Sequence, residues 1–324
     1  MKVLKSFGPQ DLRVVEVEVP KPKQGQVRIK VKASGICGSD RWIWGSEKSN
    51  FIGGHEVAGE VEALGEGVTS LKLGDPVMVN NVGGCGICRA CKAGAFVLCP
   101  AWDGSGDVNN GFGEYLVAPA RNCVRILPGL DFIDGALIMD NWGTPYGAIK
   151  KVCVEPGVDV LVNGCGPIGQ AAVGICKALG AYIIACDPIA YRRELALQNG
   201  ASAAYSPEEL PVDSVDVVLE CSGDGKAYEP CLKALRIGGK MAAIGENANL
   251  TLQPSDLIIR RSLSLIGSWY STLPQAEELM QLALQGRINV KSFLTHKPSL
   301  EEVPGLFGSI INRDAGLMKC IIVL

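Results

Sequence analysis

VDVLVNGCGPIGQAAVGICKALGAYIIACD, residues 158–187, decides the fold. It opens with an apolar strand, VDVLVNG (158–164), then turns on Gly164-Cys165-Gly166-Pro167-Ile168-Gly169, a G-x-G-x-x-G. PIGQAAVGICKALG (167–180) has helical spacing, and AYIIACD (181–187) returns as a second strand. Strand, glycine turn, helix and strand in this order make a dinucleotide fingerprint, which the glycines alone do not. Gly164 permits the tight turn, Gly166 lets backbone approach a pyrophosphate, and Gly169 lets helix pack on strand. The helix that Pro167 and Ile168 begin then offers free N–H groups and its positive dipole end to the phosphates. Asp187, 18 residues beyond Gly169, suits the ribose hydroxyls and favours NAD over NADP. Arg192 and Arg193 pull the other way, since an arginine can clamp a 2′-phosphate.

Outward from this stretch the pattern repeats. YRRELALQNG (191–200) reads as a helix, VDVVLECSG (215–223) as a strand, KAYEPCLKAL (226–235) as a helix, KMAAIG (240–245) and SLSLIGS (262–268) as strands. Such alternation predicts an α/β fold with a doubly wound parallel sheet, the Rossmann arrangement. The first third differs. VEVEV (15–19), VRIKVKA (27–33), VAGEVEALGEGV (57–68) and GDPVMV (74–79) read as strands punctuated by Pro and Gly. The expected division is a β-rich catalytic domain, 1–143 plus 270–324, into which a dinucleotide domain, 144–269, is inserted.

Composition excludes several classes. Of 324 residues 47% are hydrophobic and 20% charged, an ordinary globular balance with a net charge of −3. Lys and Arg are dispersed, so nucleic acid is not an expected partner. No apolar run approaches a membrane span, and MKVLKSFGPQ lacks the apolar region of a secretory leader. Thirteen cysteines, an odd number in a long chain, argue against a disulfide scaffold and for the reducing cytoplasm.

Cys85, Cys88, Cys91 and Cys99 follow C-x2-C-x2-C-x7-C within a loop, 83–99, that has little apolar content. Four thiolates at this spacing can close a tetrahedron around Zn²⁺, and metal explains why such a loop is ordered. With four protein ligands the site is structural. Disulfides, or four unrelated cysteines, are the alternative readings.

Two further stretches, SGICGSD (34–40) and GGHEVAGEVEALGEGV (53–68), complete a pattern. Gly54-His55-Glu56, Gly59, Gly65 and Val68 fit G-H-E-x2-G-x5-G-x2-V. With the four-cysteine lobe and the later fingerprint, in this order, the chain resembles the zinc-dependent alcohol dehydrogenases of the medium-chain dehydrogenase/reductase superfamily, most closely their polyol or sorbitol branch. The resemblance implies a GroES-like catalytic domain and a catalytic zinc held by Cys37 and His55. It puts the third ligand at Asp140 or Glu56, although Asp140 can also be read as the cap of the helix that follows. It implies Ser39 as the hydroxyl that relays the alcohol proton, and Lys319 at the NAD pyrophosphate. Ser222, Gly245, Gly267 and Ser268 are expected along the nucleotide, with Arg192 nearby. Two zinc ions per chain, NAD, an alcohol or ketone substrate and a homodimer or homotetramer joined near 262–268 are expected. The active site is expected between the domains, with closure on NAD.

There are departures. The histidine that completes the relay in relatives, five residues past the zinc cysteine, is Trp42, and the proline before Gly-His-Glu is absent. Trp42, Trp44, Trp102, Trp142, Trp269 and Tyr270, with Asp40, Glu47, Asp103, Asn109 and Asn141, are expected to line the pocket, favouring a secondary alcohol on a polyol, sugar or cyclitol. Simple aliphatic or aromatic alcohols, or a non-catalytic NAD- and zinc-binding sensor, are the alternatives.

Overall fold

The computed structural model describes all residues except 48–50, 247, 248, 313 and 315. The chain forms two compact units. The first comprises Met1–Asp140, Thr272–Leu284 and Leu294–Leu324; the second comprises Asn141–Ser271 and Gln285–Phe293.

The first unit is built around a seven-stranded sheet. Its axis is the long strand Gln26–Ile36, paired antiparallel with Glu56–Leu64, Tyr115–Pro119 and Lys319–Val323. The strand changes character along its length. Val27, Ile29 and Val31 alternate inward, as a half-covered antiparallel strand requires. Ala33–Ile36 are buried on both faces, with Lys319–Val323 and Glu56–Leu64 paired along the two edges. Close backbone approach is enforced here: a Cβ on Gly59 would stand 2.2 Å from the Lys30 carbonyl oxygen.

The second unit holds a six-stranded parallel sheet. In spatial order its strands are Ala203–Tyr205, Tyr182–Cys186, Asp159–Asn163, Val215–Glu220, Leu235–Ala243 and Ser264–Gly267. The order reverses between Asp159–Asn163 and Val215–Glu220, the crevice where doubly wound sheets take ligands beyond the carboxyl ends of their strands. Both strands are apolar and buried almost throughout, as a sheet covered on both faces demands.

The second unit also takes in 285–293, a stretch that falls within the expected catalytic domain, 270–324. The cause is Trp142, whose indole N–H donates to the Val290 carbonyl at 3.1 Å and whose ring stacks on Phe293 at 5.7 Å. Arg287 donates to the Ala178 carbonyl on the same side. One further feature has no compositional signal. The helical path from Phe132 to Val152 widens into a π turn at Ile138–Trp142. Such single-turn widenings collect at functional sites, and Asp140 lies in this one.

Candidate metal centre and dinucleotide site

Cys37 ends the buried run of the central strand and caps the short turn Gly38–Asp40. Its backbone N–H donates to Asp40 Oδ2 at 2.8 Å, which fixes the turn whatever the thiol does. Asp40 is fully buried, and its other oxygen, Oδ1, lies 3.3 Å from His55 Nδ1. It is therefore a support for the histidine and not a pocket residue. A carboxylate at Nδ1 places the proton there and leaves the Nε2 lone pair for a metal, the arrangement typical of metal-bound imidazoles. His55 Nε2 in turn lies 3.1 Å from Asp140 Oδ2. Burial opposes a charged His55, but Asp40 and Asp140 together outweigh it and hold its pKa well above the ordinary value. A cation is thus favoured where these groups converge.

Asp140 does not cap a helix. Its backbone is already inside the π turn, and the helix Gly143–Val152 starts from Trp142. Donor atoms of Cys37, His55, Glu56 and Asp140 all lie within 4.8 Å of one another. Ligands about 2.0–2.3 Å from a tetrahedral zinc stand roughly 3.3–3.8 Å apart, so this set fits the ion with small adjustments.

Glu56 is differently held. It is fully buried, and its Oε1 takes a hydrogen bond from Lys319 Nζ at 2.5 Å. Lys319 Nζ also donates to the Ile36 carbonyl at 3.0 Å and is only 2% exposed. Burial penalises this ammonium, but Glu56, then Cys37, more than offset it and raise its pKa. Lys319 is thus ion-paired with Glu56 behind the metal centre. Glu56 Oε2 presses on Gly35, where a Cβ would stand 1.9 Å away, and has no hydrogen-bond partner. An orphaned buried carboxylate oxygen is a costly group to leave unmatched, and it belongs to the cluster that fits a cation.

The lobe at 85–99 forms a second set. Cys85 and Cys91 sulfurs are 3.9 Å apart, and those of Cys88 and Cys99 4.0 Å. Four thiolates about 2.3 Å from one zinc lie roughly 3.8 Å apart, so this geometry is that of a Cys₄ site, whereas a disulfide needs about 2.05 Å. Backbone N–H groups of Cys85, Cys88 and Cys91 each donate to a cysteine sulfur at 3.4 Å. Donation from the Ile87 and Cys88 N–H groups pulls the Cys85 thiol down to about 6, while burial pushes Cys91 up to about 12. One thiolate is poised at neutral pH, and a metal must displace the proton of the other.

In the second unit the three fingerprint glycines occupy three distinct environments. Gly164 has φ 86°, the left-handed region that favours glycine, and a Cβ there would meet the Ser222 backbone nitrogen at 2.7 Å. A Cβ on Gly169 would lie 1.9 Å from the Gly164 carbonyl oxygen. Gly166 alone faces open space, and it caps the helix Pro167–Leu179, with Pro167 at the first position and Ile168 half-buried next to it. Tightness on two sides and room on the third form a cradle that fits a diphosphate over a helix N-terminus.

Asp187 accepts from the Cys165 N–H at 2.8 Å and the Ile189 N–H at 2.9 Å, which aims it from the end of the second strand. Arg192 is buried with its guanidinium 3.9 Å from Asp187 and over the Tyr191 ring, so it lies back against the carboxylate. Arg193 donates to the Asp187 backbone carbonyl. Ser222, Gly245, Gly267 and Ser268 all sit at carboxyl ends of the parallel strands. Ser268 donates its N–H to the Ala243 carbonyl at 3.0 Å, and Lys151 Nζ donates to the Gly267 carbonyl at 3.1 Å.

The expected aromatic lining divides. Trp44 packs on Phe307 in the core of the first unit, and Trp142 is core in the second. Trp42, three residues beyond the exposed Ser39, is 41% exposed and meets Phe51 edge-to-face at 5.5 Å. Trp102 is exposed, with its indole donating to Asp107 at 3.0 Å. Asp103 caps its own turn through Ser105, Asn109 accepts from Asn81, and Glu47 is exposed. In the second unit Trp269 is exposed, while Tyr270 and Asn141 are buried. No helix among the described residues is long and apolar enough to cross a membrane.

Known proteins share this chain's sequence pattern and fold. Residues 23–128 match the family model of the alcohol dehydrogenase GroES-like domain, and residues 167–285 that of the zinc-binding dehydrogenases. The L-threonine 3-dehydrogenase of Pyrococcus horikoshii is 34% identical over 327 residues, which cover 92% of this chain and 90% of that enzyme. Galactitol-1-phosphate dehydrogenase from Escherichia coli superposes with a TM-score of 0.91 at 26% identity, covering all of both chains. Acetophenone reductase from Geotrichum candidum, in complex with NAD, superposes with a TM-score of 0.87 at 27% identity, covering all of this chain and 97% of that one.

Proposed function

Since the chain belongs to the zinc-dependent alcohol dehydrogenases of the medium-chain superfamily, we propose that it transfers a hydride between NAD and a secondary alcohol carried on a polyol, sugar or cyclitol. The observation that carries this reading is the convergence of Cys37, His55 and Asp140 while Lys319 restrains Glu56. Cys37, His55 and Asp140 would hold the zinc, and three protein ligands would leave room for substrate, the mark of a catalytic site. When bound, zinc supplies Lewis acidity to the alcohol oxygen and NAD accepts the hydride.

The chain's own residues do the rest. Asp40 holds the His55 ring through Nδ1. Ser39 Oγ, on the turn that Asp40 fixes, takes the alcohol proton. The Trp42 indole can donate a hydrogen bond but has no acceptor with which to take a proton and pass it on, so from Ser39, an exposed residue, the proton goes to water directly. Gly166 and the helix N-terminus would hold the NAD diphosphate, and Asp187 would hold the ribose hydroxyls, where a 2′-phosphate would meet charge repulsion. The second zinc, at Cys85, Cys88, Cys91 and Cys99, orders the lobe.

Hydroxyl-rich substrates gain support from two relatives whose names specify polyfunctional alcohols, galactitol 1-phosphate and threonine. A simple aromatic alcohol is the second reading, favoured by the exposed Trp42–Phe51 pair. The edge strand Ser264–Gly267 pairs only with Leu235–Ala243 among the described strands, and we assign it to a second copy of the chain in a homo-oligomer. All thirteen cysteines are free, in keeping with the cytoplasm.

The test is NAD reduction over a panel of polyols, sugars, cyclitols, threonine and benzylic alcohols. The expected result is turnover confined to secondary alcohols that carry neighbouring hydroxyls. Turnover confined to the benzylic alcohols supports the second reading, and none on any member, with both cofactors bound, points to a sensor.

A further inference from the structure

One fully buried carboxylate takes no part in the zinc chemistry. Glu220 closes the strand Val215–Glu220 at the point where the sheet order reverses, and it is 0% exposed. It accepts hydrogen bonds chiefly from the loop that follows it. Oε1 accepts from the Ser222 backbone N–H at 2.8 Å, from the Ser222 hydroxyl, and from Asn163 Nδ2 at 3.3 Å. Oε2 accepts from the Gly223 N–H at 3.3 Å. The Glu220 main-chain carbonyl accepts from Ile244 and Gly245, each at 2.9 Å. One residue thus ties together the carboxyl ends of three neighbouring strands, Asp159–Asn163, Val215–Glu220 and Leu235–Ala243.

At these ends backbone lies directly against backbone. A Cβ on Gly164 would meet the Ser222 nitrogen, and one on Gly245 would stand 2.1 Å from the Gly223 nitrogen. With no side chain between them to absorb a shift, the 222–223 loop and the Gly164 turn move together. Ser222 Oγ also accepts from the Asp224 N–H at 3.1 Å, which extends the tie along the loop. Burying a carboxylate is costly, so donors at both oxygens are needed to hold it there.

We infer that Glu220 is a positioning residue for NAD: through the Ser222–Gly223 loop its carboxylate sets the shape of the Gly164 turn, without itself touching the cofactor. This rests on the reading of 164–169 as the NAD cradle. Glutamine has the same shape but one acceptor oxygen. In Glu220→Gln its amide NH₂ either confronts the Gly223 N–H or leaves Ser222 unmatched, and the loop shifts. Losing one such buried match weakens binding by about tenfold or more. Aspartate keeps the charge but is one methylene shorter, so Glu220→Asp falls between wild type and Glu220→Gln.

The experiment is NADH titration by fluorescence on the zinc-loaded protein, with melting temperature, zinc content and steady-state kinetics on the best alcohol of the panel. For Glu220→Gln the expected result is a Kd for NADH and a KM for NAD at least about tenfold higher, with zinc content, alcohol KM and kcat at saturating NAD within twofold of wild type. A merely structural role moves alcohol KM and zinc content as well. Unchanged NADH affinity in folded Glu220→Gln overturns the inference, as does a loss that tracks melting temperature and alcohol KM together. If Glu220→Gln does not fold, wild-type affinity in Glu220→Asp overturns it, and a selective loss of NADH affinity there sustains it. A wild-type protein that binds no NADH overturns the cradle reading and this inference with it.

Discussion

Replacing Cys37 with alanine is expected to cut turnover at least ~10³-fold while leaving NADH affinity unchanged. The size follows from removing Lewis-acid stabilisation worth several kcal/mol, at 1.36 kcal/mol per factor of ten. The selectivity follows from the local structure. The turn that Cys37 begins is held by its backbone N–H on Asp40 and by the Asp40 N–H on its carbonyl, and alanine keeps both. What is lost is the thiolate alone, so His55 and Asp140 are left as a two-ligand remnant beside a Glu56 that Lys319 restrains. The fingerprint belongs to the other unit and is untouched. Steady-state kinetics, NADH titration and zinc content of one preparation check this. Turnover within tenfold of wild type contradicts the assignment of Cys37 to the catalytic metal.

The second large effect is on stability. Lys319→Met is expected to destabilise the protein by about 3–5 kcal/mol, the usual cost of removing one partner of a buried ion pair. Glu56 is then left fully buried without its lysine partner. The double variant Glu56→Gln/Lys319→Met is expected to recover most of that loss, because a neutral pair of similar volume carries no unpaired charge. Urea denaturation of the three proteins checks both statements. A single variant within 1 kcal/mol of wild type, on that same scale, shows that the pair does not hold the site together.

Much of this architecture was legible in the sequence because it is written in local spacing. Gly164, Gly166 and Gly169 lie within six residues, and each has a steric reason visible without coordinates. Cys85, Cys88, Cys91 and Cys99 are equally local, and their sulfurs meet at the separations their ion requires. What spacing cannot report is direction. Trp44 and Trp142 lie near the expected pocket in sequence, but their rings point into two different cores. Asp40 looked like a pocket carboxylate because only the fold aims it at His55 Nδ1. Glu56, the partner of Lys319, is 263 residues away in sequence and becomes its neighbour only when the last strand pairs with the central one. The π turn at Ile138–Trp142 leaves no trace in composition, since any helical sequence can accommodate one extra residue per turn. Glu220 did carry a signal. VDVVLECSG is an apolar parallel strand that ends on a carboxylate, and a charged residue in such a strand needs partners.

The first unit holds two ligand sets of different kinds, which we assign to one catalytic and one structural zinc. Zinc content by mass spectrometry, followed through mild chelation with NAD reduction measured on the same samples, tests that assignment most directly. The expected result is about two zinc ions per chain. One leaves readily and takes activity with it while the protein stays folded, and the other is released only as the lobe unfolds. A single ion per chain, or full activity after the labile ion has gone, contradicts it.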